Sequence, residues 1–227
     1  MSDLQELNSI ASGNRSATSV SASSNKVLRN TYSLLALTLL FSAFTAFAGM
    51  AMGIGQGASL VMMLGAIGIL WFVLPRSINS GMGLVWTFVF TGLMGASLAP
   101  MLSYYVGAGM GGLVLQALGG TAVIFFALSA YALVTKRDFS FLGGILFIGL
   151  LVVLVAALAN IFLAIPAMQL MVSSAVILIM SGYILYDTSR IIHGGETNYI
   201  SATIGLYLNI YNIFVHLLSI LGIMNDD

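Results

Sequence analysis

Seven stretches of this chain are apolar over about the length a helix needs to cross a hydrocarbon layer, roughly 20 residues at 1.5 Å each. They run Thr31–Met52, Ala58–Leu74, Met82–Ser103, Leu113–Val134, Phe141–Leu163, Met168–Tyr186 or slightly beyond, and Ile200–Leu221. In lipid every backbone N–H and C=O has to be paired within the segment, which selects helices or closed barrels. The runs lack the dyad alternation of a barrel strand, which points to helices. Composition agrees: only 6% of the 227 residues are charged, where a soluble domain carries about a quarter. The expected fold class is an all-α integral membrane protein, a seven-transmembrane-helix bundle. Connections are short, so residues 26–227 read as one membrane domain surrounded by the lipid bilayer. Residues 1–25 are rich in Ser, Asn and Ala without apolar periodicity and read as a disordered tail. No cleavable signal is expected, because the first run lies behind that tail and is long enough to span.

The charges set an orientation. Arg15, Lys26 and Arg29 precede the first run, Arg76 lies at the second gap, Lys136 and Arg137 in the fourth, and Arg190 in the sixth. The first, third and fifth gaps carry no charge. Every Lys and Arg thus falls on one side, which the positive-inside rule makes cytoplasmic. Seven crossings then place the N-terminus inside and the C-terminus on the opposite face. Zero net charge gives no reason to expect a nucleic-acid partner. The lack of Cys excludes disulfides, thiolate metal sites and Cys nucleophiles. No cofactor is expected.

Asp187 is the one acidic side chain inside a long apolar run. A carboxylate at the edge of hydrocarbon is costly unless it is partnered or hydrated, and such residues are functional candidates. Arg190, at i+3, offers an ion pair at the interface. The alternative is a gating or proton-sensing role, with Arg190 and Arg76 as nearby cations. The seventh run carries Ser201, Gly205, Asn209, Asn212, His216 and Ser219 at spacings of three or four, which places them on one helical face. Asn209, Asn212 and His216 fall roughly 14, 18 and 24 Å in from the charged end. That face is either interhelical hydrogen-bond glue or a solvated path. Small residues (Gly49 and Gly53, then Gly92, Ala96 and Ala99) suggest close helix packing, and Pro100 suggests a kink in the third helix.

The closing segment YILYDTSRIIHGGETNYISATIGLYLNIYNIFVHLLSILG resembles the signature of the Bax inhibitor, or TMBIM, family. TGLMGASLAPMLSYY and RDFSFLGG support this, and KVLRNTY and IIHGGETNYI are similar to its bacterial YccA-like subgroup. The resemblance covers nearly all of the chain beyond Lys26. It implies a seven-helix bundle in which the last helix is surrounded by the other six. It also implies a pH-sensitive leak for calcium or another cation, or for protons, sensed in some members by two intramembrane aspartates. The first of these matches Asp187. The second falls at Leu206-Tyr207-Leu208-Asn209, where this chain has an amide that does not titrate. Two neighbouring carboxylates share a proton; a carboxylate and an amide do not. By these boundaries Asp187 sits near the charged edge and Asn209 near mid-membrane. They meet only if the seventh helix is displaced or the Gly194-Gly195 connection dips inward.

Three functions follow. The first is a cation or proton leak gated near Asp187. The second is a non-conducting regulator whose partner, by the subgroup's resemblance, is the membrane AAA+ protease FtsH, with the tail as the part such a protease grips. The third is an intramembrane enzyme, for which little speaks. An aspartyl protease needs two carboxylates, and a serine protease would need Ser97 to meet His216. No catalytic residue is assigned.

Overall fold

The computed structural model describes residues 23–225; the expected disordered tail lies outside the described residues up to residue 22. Seven helices are long and apolar enough to cross a membrane: α1 (Ser23–Ala51), α2 (Gln56–Ser77), α3 (Met82–Gly107), α4 (Gly111–Thr135), α5 (Leu142–Leu163), α6 (Pro166–Ile192) and α7 (Tyr199–Asn225). These match the seven apolar runs, and there are no strands among the described residues.

Most boundaries differ from the hydropathy runs by a few residues, but α6 runs six residues past Tyr186. The polar stretch Thr188-Ser189 does not end it, because both side chains and Ile191 are fully buried against neighbouring helices. It stops where Gly194 takes φ 75°, in the left-handed region. The Gly195 and Glu196 amides then turn back onto the Arg190 carbonyl at 2.8 and 3.1 Å. Asn198 starts α7 as an N-cap, its Oδ1 accepting from the Ile200 and Ser201 amides at 2.9 and 3.3 Å. Two prolines leave local marks. A π-helical turn, Ile69–Val73, absorbs the missing N–H and ring of Pro75 in α2. In α3 the α-helix breaks at Leu98, two residues before Pro100.

The core sits around α7. No residue from Tyr199 to Ile223 is exposed. The helix packs directly on α1, α3, α4 and α6, while α2 lies on α3 and α5 on α6 as an outer layer. The last helix is therefore central, touched by four helices rather than all six. Small residues set the α1–α3 distance. A Cβ at Gly49 would meet Ala99 Cβ at 2.9 Å, and one at Gly92 would meet the Phe41 ring at 2.7 Å. Gly53 plays no part in packing. It is a turn residue at φ 66° with open space around it.

The second, fourth and sixth connections meet at one end, which carries every described Lys and Arg. Asn198 Nδ2 donates to Asn79 Oδ1 at 2.9 Å. The Phe139 amide donates to Ser189 Oγ at 2.9 Å. The ring of His193 faces two carbonyl oxygens, Ser189 O at 2.9 Å and Lys136 O at 3.1 Å. In the same connection Ser140 donates hydrogen bonds from its side chain and backbone to Asp138, holding that carboxyl below its ordinary range. His193→Ala removes one tie between α6 and the 136–141 connection, the ring's contact with the Lys136 carbonyl, and leaves those made by Ser189. At about 1 kcal/mol per hydrogen bond, amide exchange at Phe139 is expected to speed up about fivefold while exchange within α7 stays unchanged. Hydrogen-exchange mass spectrometry reads both at once.

Candidate functional site

Asp187 projects from α6, more than a turn inside its end, toward α7. Asn209 Nδ2 donates to Asp187 Oδ2 at 2.8 Å. Gly205, one turn before Asn209, makes the approach possible: a Cβ there would stand 3.2 Å from the same oxygen. Asp187 as a residue is partly buried, whereas Asn209 is buried. The two positions singled out from sequence are thus in contact. What brings Asp187 inward is the longer α6, which had not been expected.

The ion pair with Arg190 is not formed. Asp187 faces α7, and the long Arg190 side chain instead snorkels toward the connection. Its guanidinium lies 3.8 Å from Glu196 Oε2, donates to Gly195 O at 3.0 Å and stacks 5.5 Å above the Tyr186 ring centroid. Glu196 in turn accepts from Ser201 Oγ at 3.1 Å and from the Asn198 amide at 2.9 Å. Arg76 is not at the site. It is exposed at the end of α2, which touches only α3, and it donates to the Phe72 carbonyl of its own helix.

The polar face of α7 divides in two. Asn209, His216 and Ser219 line the seam with α6. His216 Nδ1 is 3.0 Å from Ser173 Oγ. Gln169 Nε2 donates to Ser173 and Ser219, both at 3.4 Å, and Asn160 Nδ2 on α5 donates to Gln169 Oε1 at 3.3 Å. Asn212 bonds back to the Leu208 carbonyl of its own helix at 2.8 Å. The other side of α7 presents tyrosines. Tyr207 OH lies 2.7 Å from Ser42 Oγ on α1 and donates to Thr91 O on α3 at 3.3 Å. Tyr211 OH lies 3.4 Å from Ser97 Oγ. Ser97 therefore does not meet His216, and the serine-protease pairing is absent.

Asn160, Gln169, Ser42 and Tyr207 were missed from sequence. Asn160 was the most accessible of these, since an amide inside an apolar run needs a partner. Ser42 had no signal of its own. Between the Asp187–Asn209 contact and the His216 cluster the α6 side of the seam is apolar, and Asn212 on α7 is bonded to its own helix. Ile184 and Ile213 are fully buried there, with Val176 and Met180 nearly so. About two helical turns, or roughly 10 Å, separate the two polar groups of the seam. Chemically, Asp187 can bind or release a proton or attract a cation. A calcium ion takes six to eight oxygens, and this contact supplies one carboxylate beside one amide.

A bundle with a buried polar helix at its centre and lipid-facing helices around it defines a multi-pass helical membrane protein. The family model described as inhibitor of apoptosis-promoting Bax1 matches residues 24–226, and the chain belongs to this Bax inhibitor-1 family. It is 51% identical over 205 residues to the modulator of FtsH protease YccA of Escherichia coli, covering 90% of this chain and 93% of that protein. It is 58% identical over 204 residues to an uncharacterized membrane protein of Vibrio cholerae, covering 89% and 92%.

Proposed function

We propose that this chain is a modulator, and itself a substrate, of a membrane-anchored AAA+ protease of the FtsH type, in a bacterial inner membrane. The observation that carries this is the similarity to the Escherichia coli modulator, which runs through nearly the whole of both chains. A close relative from a second Escherichia coli strain is described as an inner membrane protein. The fold suits such a role. Almost all of the described chain is membrane domain, so a partner is met within the bilayer or through the tail. In the proposed orientation the N-terminus is cytoplasmic and the C-terminus periplasmic, because all described Lys and Arg gather at one end. A protease pulling on the tail must first extract α1, which packs on both α3 and α7.

Deleting residues 2–22 is expected to leave the bundle folded and to slow its turnover in cells containing the protease at least severalfold, as followed by pulse-chase. Unchanged turnover would overturn the handle role.

A leak gated at Asp187 is the second reading, and the Asp187–Asn209 contact favours it. The buried apolar side chains Ile184, Ile213, Val176 and Met180 between this contact and His216 fit a closed state. Permeant Ca2+ or H+ would enter at the charged end. Asn209→Asp places two carboxylates in contact; they share a proton in acid and repel when both are ionised. In proteoliposomes the variant's flux is expected to depend on pH between mildly acidic and neutral conditions, with the unaltered protein nearly flat. A pH-independent variant would count against a gate here.

A further inference from the structure

We propose that the groove between α1 and α4 is a binding site for an anionic phospholipid, with one acyl chain lying along the bundle and the headgroup at the charged end. The two helices are neighbours around α7 yet do not touch along their backbones. Between them is a cavity of about 520 Å³, floored by α7 and reaching from Tyr32 to Met50 on α1. That is a length of about 27 Å at 1.5 Å per residue, close to the hydrocarbon thickness. Exposed along the mouth are the small Ala36 and Ala43 on α1 and Ala122 on α4, beside the larger Phe47, Leu118 and Phe126, and the gap is open to the bilayer.

The interior gives water little to bind. Ser42 and Tyr207 satisfy each other at 2.7 Å, and Thr121 donates to its own Ala117 carbonyl at 2.7 Å. A flexible hydrocarbon chain is the thin apolar occupant that the surroundings supply.

Charge fixes the headgroup. Past the Tyr32 end of the groove, on the same membrane face, stand Lys26 and Arg29 on α1, about 5–9 Å further along the helix, and Lys136 and Arg137 after α4, about 15 Å beyond Phe126. All four are exposed, and none has an ion pair among the described residues. The opposite connections carry no charge. Exposed Lys and Arg at a membrane surface attract anionic lipid, each by about fivefold in binding. The ring contact of Tyr32 with Phe125, centroids 5.9 Å apart, closes the groove on the side of that basic end. The chain therefore enters from the side.

The test uses the full-length protein in phosphatidylcholine vesicles doped with phosphatidylglycerol that carries a photoreactive group in its acyl chain. Crosslinks are expected at Ala36, Ala43 and Ala122 in excess of those on the lipid face of α5. Unlabelled phosphatidylglycerol should compete better than phosphatidylcholine. Ala43→Phe with Ala122→Phe should remove groove labelling severalfold, and the milder Ala122→Leu should lower it with the melting temperature held. Lys26→Gln with Arg29→Gln should keep the labelling but cut the anionic preference about fivefold per cation. Free inorganic phosphate should not compete; if it does, the basic end is a phosphate site and not a lipid site. Labelling equal to that of α5, indifference to the filled groove, or crosslinks to a copurifying protein helix would each overturn the proposal.

Discussion

Gly95→Val is expected to cost the bundle about 3 kcal/mol or more, at the upper end of overpacking effects, and to lower its melting temperature well below that of the parent. A Cβ at Gly95 would run into the Ser42 carbonyl and the Thr45 hydroxyl of α1. Neither helix yields easily there. The obstacle is backbone, and Ser42 is tied to the buried Tyr207 hydroxyl of α7. Any shift that relieves the clash pulls α1 away from both α3 and the central helix. Gly144→Val is the control, because that glycine faces open space on α5. It is expected to change stability by no more than about 0.5 kcal/mol. Equal melting temperatures for the two variants in detergent would mean that α1 and α3 are not held as close as described.

The second large effect concerns the contact at the centre of the candidate site. Asn209→Leu removes the donor and leaves Asp187 facing hydrocarbon, an expected cost of about 1.5–3 kcal/mol for a lost charge-assisted hydrogen bond. Asp187→Leu deletes the carboxylate instead and leaves a buried amide unpaired, which costs less. The double variant Asp187→Leu with Asn209→Leu is expected to be more stable than Asn209→Leu alone, since two apolar side chains leave nothing unpaired. Unfolding by denaturant across this double-mutant cycle measures the coupling directly. Strictly additive losses would show that the contact at 2.8 Å carries no coupling. Asp187→Asn keeps shape and hydrogen bonding and should fall close to the parent in stability. Any change in flux it causes can then be assigned to charge.

The sequence by itself determined the class and the number of helices long and apolar enough to cross a membrane. Seven runs of sufficient apolar length, with no charge in alternate gaps, leave few ways to thread a bilayer, because unpaired backbone in lipid is too costly to permit another. It also marked Asp187 and the polar face of α7, since ionisable and amide groups stand out against hydrocarbon. Hydropathy did not place the end of α6. The buried Thr188 and Ser189 look like an interface in the sequence, and only their packing against neighbours shows that the helix continues. The partner of Asp187 followed from that same extension. Arg190 was the nearer cation along the chain, but Glu196 and the Tyr186 ring hold it at the connection. Tertiary structure alone decided which glycines matter. Gly49 and Gly53 have the spacing of a packing pair in the sequence, yet Gly53 turns the chain while Gly49 and Gly95 let two helices meet. The gap between α1 and α4 belongs to neither helix. It exists because each packs on α7 and not on the other, a fact about pairs of surfaces that no single run of residues contains.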